Sequence, residues 1–404
     1  MPVHDLALQR DKYKHLSDEE WRWFLQQAEG RERTADKLPT FAAIEDWWYP
    51  VRLSCEQCSS ELTAKYKAQL VDSRKTKDER RFVDLTGGYG VDTFFLSEHF
   101  GHTDYVEQNA ELCRIAEHNF EISRKSKDER QKTSISVHNT SAEEFLQKAG
   151  LYDLIFADPA RRDAHGGKVF RLEDCTPNVT DLLPSLLQHL TPDGRLMLKL
   201  SPMLDITQAL NTLAISHGPL AFDVHVVAVK NEVKEVLLLS QKSKDNRQKT
   251  TLTAIDLAEQ GKAFVFTREE EQECPAGIGD WLLVNGDAAL NGEFLYEPSA
   301  AILKAGAYKL VAQRFGLQKV DVNTHLYVSD SLVPDFPGRI FEIKKPTPSL
   351  PKGKELSQAN ILCRNYPLTP EQLKKKLRIK DGGTEYVIGC RVNGKPTLFV
   401  AERI

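Results

Sequence analysis

Two short stretches hold the residues best placed for chemistry. The first, RFVDLTGGYGVDTFFLS at 81–97, leaves a strand-like segment at Asp84-Leu85. It turns through Gly87, Gly88 and Gly90 and enters an amphipathic segment. Glycines at such a junction let the main chain approach a ligand closely, and the helix start beyond offers unpaired N–H groups. An acid that takes ribose hydroxyls is expected about 20 residues on. Glu107, ending DYVE, stands 23 positions after Asp84. The second stretch, FADPARRD at 156–163, follows the apolar run YDLI. Asp158-Pro159 sets a carboxylate and a rigid φ at the carboxyl edge of a buried strand, where α/β proteins keep their ligands. Arg161 and Arg162 suit either a bidentate clamp on a substrate phosphate or carboxylate, or pairing with Asp163 or Glu173 that orders the loop.

A metal centre is not expected. Cys55 and Cys58 form a CxxC with no second pair and no HxxxH to complete a tetrahedral site, so they read as two thiols on neighbouring helical turns. Seven scattered cysteines fit a reducing compartment. No run approaches the roughly 18 apolar residues that span a bilayer, and the first fifteen residues lack an apolar signal core, which makes the cytoplasm the expected location. A net charge of −4 supplies no global field for nucleic acid, so any such partner must be met by local basic patches.

Around these residues the pattern is alternating. Strands are expected near 81–85, 103–107, 135–139, 152–158, 195–200, 222–229 and 234–240, with helices near 91–100, 109–120, 141–148, 178–190 and 204–215. Such alternation implies a mostly parallel sheet covered on both faces. Lys230-Asn231-Glu232-Val233 leaves room only for a hairpin, hence an antiparallel edge. Residues 1–70 read as helical, with Ser17-Asp-Glu-Glu20 as a capping box and SCEQCSSELTAKYKAQL as one further helix. Three similar charged stretches, at 74–81, 124–133 and 241–250, carry balanced signs and read as solvated surface.

The spacing D-L-T-G-G-Y-G resembles motif I of the class I S-adenosylmethionine-dependent methyltransferases, with Thr86 in place of the usual first glycine. The resemblance runs from Ala64 to Gln241. It implies a Rossmann-like α/β seven-stranded sheet and S-adenosylmethionine as cofactor. Asp84, Thr86, Gly87, Gly88 and Gly90 would form the cofactor loop, Glu107 and Gln108 would meet the ribose, and Ser141-Ala142 would meet the adenine. Asp158-Pro159 matches motif IV beside the methyl group. Amine-methylating relatives place an aromatic after the prolines of motif IV, whereas Arg161 stands here. Carbon-5 pyrimidine chemistry needs a cysteine, which neither FADPARRD nor KLSPMLD holds. Ribose 2′-O-methyltransferases use a Lys-Asp-Lys-Glu tetrad, and Lys67, Asp158, Lys199 and Glu235 fall in that order at similar strand positions, with Lys65, Lys230 and Glu232 as alternative partners.

The tail resembles the THUMP-like module found behind such a core in a bacterial family, through EPSAAILKAGAYKLVAQRFGL and NTHLYVSDSLVPDFPGRIFEI. THUMP modules bind tRNA, and Lys374, Lys375, Lys376, Arg378 and Lys380 form a basic helix that suits phosphate. The expected division is therefore 1–70 helical, 71–250 methyltransferase, 251–320 an α+β connector of ferredoxin-like kind, and 321–404 THUMP-like. The expected acceptor is tRNA or rRNA. Protein or small-molecule acceptors, and a binding protein that lost the chemistry, fit the same core.

Overall fold

The computed structural model describes residues 3–71, 76–126, 133–161, 171–217, 221–241, 249–258, 262–275, 283–284, 287–288, 293–347 and 356–404. Arg162 and parts of the three charged stretches lie outside them. The chain forms two compact units, 1–223 with 236–248, and 224–235 with 249–404.

In the first unit, strands β1 (Arg81–Asp84), β2 (His102–Glu107), β3 (Ser134–Asn139), β4 (Tyr152–Ala157) and β5 (Leu190–Leu200) lie parallel in the order β3-β2-β1-β4-β5. Two further strands follow, β6 (Phe222–Val229) and β7 (Glu232–Gln241). The second half of β7 pairs antiparallel with β5, Leu200 opposite Val236. The seven strands occur where the apolar runs place them, but the sheet has nine rather than the expected seven, the additional two being Thr251–Asp256 and Phe264–Thr267. Six contribute to this unit, while β6 falls in the other apart from its first residues. Covered on both faces, β4 buries Leu154, Ile155, Phe156 and Ala157 to within 2% exposure, and this is why its sequence is a continuous apolar run. Asp84 sits level with Tyr105 and Phe156. Asp84, Glu107 and Asp158 consequently emerge along one carboxyl edge of the sheet.

The N-terminal region contributes helices α1 (Asp18–Thr34), α2 (Arg52–Gln57) and α3 (Glu61–Gln69). The capping box of α1 forms as expected, Ser17 Oγ accepting from Glu20 N while Glu20 accepts from Ser17 N. SCEQCSSELTAKYKAQL is two helices rather than one. Cys58 turns extended, and Ser60 Oγ accepts from Thr63 N, starting α3 afresh because an N-cap hydroxyl competes with helix continuation. Aromatic packing joins this region to α4 (Val91–Ser97): Phe41 meets Trp47 at 4.2 Å and Phe94 at 5.0 Å between centroids. These rings share one core with Phe82, Tyr105 and Phe156 of the sheet.

Two helices complete the frame of the site, α5 (Ala110–Ser126) after β2 and α6 (Ala142–Leu146) after β3. In the second unit, Lys230 and Asn231 take φ of 53° and 60°, the two-residue turn that a tight hairpin requires. Asp256 accepts both of their N–H groups. A seven-stranded sheet there runs Gln318–Lys319, Tyr327–Ser329, Phe294–Pro298, Gly338–Thr347, Lys395–Arg403, Glu385–Val392, Asn360–Arg364. The turn at Asn393-Gly394 has φ of 48° and 75°, and Thr369 caps the helix Pro370–Leu377 through a capping box with Gln372. Asn360–Arg364 is an edge strand of this sheet. It lies parallel to Glu385–Val392, a pairing between distant segments that a five-residue run does not announce. No helix among the described residues is long and apolar enough to cross a membrane.

Candidate active site

Because β1 ends beneath the glycine turn, the loop is held from three sides. Gly87 N donates to Val106 O at 2.9 Å, and a Cβ at Gly87 would come within 2.1 Å of the Tyr105 ring, so no other residue fits without moving β2. Gly88 has φ of +55°, its carbonyl accepts from Tyr105 Oη at 2.6 Å, and its N–H donates to Glu107 Oε2 at 2.9 Å. Glu107 Oε1 accepts from Asn109 N at 2.8 Å. The acid 23 positions after Asp84 therefore touches the loop directly. Thr86 links the two motifs, since its hydroxyl accepts from Asp158 N at 2.7 Å. A glycine in the same place could not make that bond.

Asp84 is buried, receiving Thr93 Oγ1 at 2.6 Å and Thr86 N at 2.9 Å. Burial outweighs these bonds and pushes its carboxyl up to about 7. Across the opening, Lys199 of β5 donates to Asp158 Oδ2 at 2.5 Å. Its ammonium also lies 3.7 Å from Asp92 Oδ2.

Loop, Glu107 and this pair border one cavity of about 340 Å³, with Gln108, Leu112, Ala142, Phe156, Thr176 and Pro177 also on its wall. Among the described residues the lining carries four acids, Asp84, Asp92, Glu107 and Asp158, of which buried Asp84 is raised to about 7, against one ammonium, Lys199. An acidic wall beside glycine N–H groups suits a nucleoside carrying positive charge and disfavours a pyrophosphate.

Other expected residues take different places. Ser141 spends its hydroxyl as the N-cap of α6, accepting from Glu144 N, whereas Ala142 faces the cavity. Pro159 is buried behind Asp158. Arg161 ends a two-residue ladder opposite Cys175. Lys67 of α3 is fully buried and meets Asp92 Oδ1 at 3.1 Å; it is absent from the lining. Glu235 is buried on the part of β7 that belongs to the second unit. The carboxylate between the two lysines is thus Asp92, which sequence reasoning missed. An acid in the first turn of a helix reads as a partner of the helix dipole, and only the tertiary packing reveals its lysines. Ser54, Gln57, Cys58 and Ser59 of the N-terminal region also line the cavity and were not foreseen. Both thiols of the CxxC donate to carbonyls, and burial pushes Cys55 up to about 12, far from a metal-binding thiolate.

Residues 294–337 match a ferredoxin-like domain family, and residues 338–403 match a THUMP domain-like family. A crystal structure from Porphyromonas gingivalis W83, assigned by name to the methyltransferases, is 32% identical. It covers 96% of this chain and 92% of its own, with a TM-score of 0.81. Two S-adenosylmethionine-dependent methyltransferases of Mycobacterium tuberculosis strains are 23% identical over 252 residues, which is 59% of this chain. The match spans 60% of the length of those curated relatives.

Proposed function

Since the chain belongs to the class I S-adenosylmethionine-dependent methyltransferases with a C-terminal THUMP-like domain, we propose that it methylates RNA, tRNA or rRNA, at a ribose 2′-hydroxyl. The observation that carries this reading is the acidic wall around the glycine loop, with the Asp158–Lys199 pair facing it. When bound, S-adenosylmethionine would supply an electrophilic methyl carbon on its sulfonium, the C–S bond breaking in line with the forming O–C bond so that the thioether S-adenosylhomocysteine leaves. The residues here do the rest. The loop N–H groups and Glu107 hold the nucleoside, Gln108 and Ala142 border its ribose and base, and carboxylates at the cavity wall favour the cation. Asp158, held by Lys199 and by Thr86, meets the acceptor O–H, and the pair takes the proton as the new bond forms.

A hydroxyl acceptor is favoured because no aromatic follows Asp158-Pro159 to stack on a base, the next residues being Ala160 and Arg161. RNA is favoured by the THUMP-like match and by the exposed lysines of helix Pro370–Leu377. Arg161 and Arg162 follow the acceptor-side acid directly in sequence, and in this reading they meet the substrate phosphate. In this reading residues 1–70 form a wall of the site, 71–250 the transfer core, and the tail a connector and an RNA-docking module, with the boundary expected at 320 moved to the junction of the two matched families at 337/338. The site of action is the cytoplasm, consistent with seven free thiols. The test is methyl incorporation from labelled cofactor into total RNA by the full chain, with Asp158→Ala as control, followed by nuclease digestion and mass analysis. Label on ribose is expected; label on a base amine rejects the hydroxyl acceptor, and label only on protein rejects RNA.

A further inference from the structure

The glycine loop ends at Gly90, and Asp92 is the second residue of α4, which starts there. Its carboxylate is buried, yet it is tied to three other segments. Oδ2 accepts the Ser59 hydroxyl at 2.7 Å and stands 3.7 Å from Lys199 Nζ. Oδ1 is 3.1 Å from Lys67 Nζ in an ionic contact and accepts no hydrogen bond among the described residues. Lys67 also donates to Ser59 Oγ at 3.3 Å. Charges therefore alternate from the N-terminal region to the cavity wall: Lys67, Asp92, Lys199, Asp158. Burial alone would raise the Asp92 carboxyl, but Lys67 and Lys199 outweigh it and hold it below the usual carboxylate range.

A buried ion pair is a poor device for stability, because apolar residues of similar volume serve as well or better. Lys67 does not line the cavity, so its charge bears on the site through Asp92. We propose that Asp92 is a positioning residue for the transfer step. Pinned by Ser59 and Lys67, it fixes the Lys199 ammonium against Asp158, and as the start of α4 it couples the cofactor loop to the acceptor-side pair. Asp92 exchanges no proton itself. The N-terminal region, through Ser59 and Lys67, is in this way part of the transfer machinery. This inference rests on the methyl-transfer reading above.

The test is Asp92→Asn in the full chain, which keeps the shape and an acceptor for Ser59. Cofactor affinity by calorimetry should change less than about threefold, while kcat falls about 100-fold at little change in the RNA KM, as expected when a reacting group is misplaced. The titration midpoint of the Lys199 side chain, followed by NMR with labelled lysine, should move down in Asp92→Asn. The single variant takes the carboxylate away from buried Lys67 and should melt earlier. Asp92→Asn/Lys67→Met should recover the melting midpoint and not kcat. A double variant that recovers both reduces Asp92 to a structural role and overturns the proposal. So does an unchanged Lys199 midpoint, whether or not methyl transfer is detected. Wild-type protein that transfers no methyl group defeats the functional reading instead, and the lysine titration still decides the coupling.

Discussion

Asp84 and Glu107 sit at the same sheet edge with opposite electrostatic circumstances. Asp84 is sealed beneath the loop, and its raised folded pKa of about 7 means that the folded chain keeps a proton which the unfolded chain releases near its ordinary value of 3.8. Across that window the unfolded state binds fewer protons, so stability declines as pH rises and the cost is complete above about pH 7. Asp84→Asn should consequently raise the thermal midpoint of ligand-free protein, and by more at pH 8 than at pH 5. An equal shift at both pH values would show that Asp84 ionises freely in the fold. Glu107, half-buried, accepts two backbone N–H groups and keeps lone pairs toward the cavity. Replacing it with alanine should weaken S-adenosylmethionine binding about 10- to 100-fold in calorimetry, or about 1.4–2.8 kcal/mol. Both acids, and Asp158, were legible in the sequence because strand ends announce themselves by where apolar runs stop. Asp92 and Ser59 were not, since their meaning comes from lysines 25 and 107 positions from Asp92, at 67 and 199.

Among the elements, the β1–α4 junction is the least tolerant. A methyl group at Gly87 would lie 2.1 Å from the Tyr105 ring, a side chain buried beneath the loop and bonded to Gly88 O. Gly87→Ala should cost about 1–3 kcal/mol in denaturant unfolding, as overpacking does, and should abolish cofactor binding. Ser60→Ala, removing the cap that starts α3, should cost about 1 kcal/mol and leave cofactor affinity near wild type. Comparable losses of binding in both variants would mean that the loop responds to general destabilisation rather than to its own shape. The alternation of strands and helices and the antiparallel edge at Lys230-Asn231 could be read from period and turn chemistry. The break at Cys58 could not: periodicity alone favours a continuous helix, and the outcome hangs on one hydroxyl finding Thr63 N.

Across the whole molecule, a net charge of −4 means that the proposed RNA substrate must be met by local patches. Helix Pro370–Leu377 buries Leu373 and Leu377 and exposes Lys375 and Lys376, with Lys380 exposed just beyond. Lys374 is engaged with Asp381 at 2.8 Å. Substituting Lys375, Lys376 and Lys380 by alanine should weaken RNA binding and flatten the plot of log affinity against log salt by about 2–3 units of slope, near one per lost phosphate contact. Unchanged slope would assign these lysines to solvated surface. This module was legible mainly by resemblance, because its short strands and frequent Gly and Pro give weak periodicity.

One titration bears on the central claim most directly. Full-length protein is titrated calorimetrically with S-adenosylmethionine and, separately, with NAD, which shares the adenosine and ribose but carries a pyrophosphate in place of the sulfonium. Saturable heat with S-adenosylmethionine and none with NAD is the expected result. Silence toward S-adenosylmethionine, or equal binding of both, would contradict a glycine loop and acidic wall built for a cationic nucleoside.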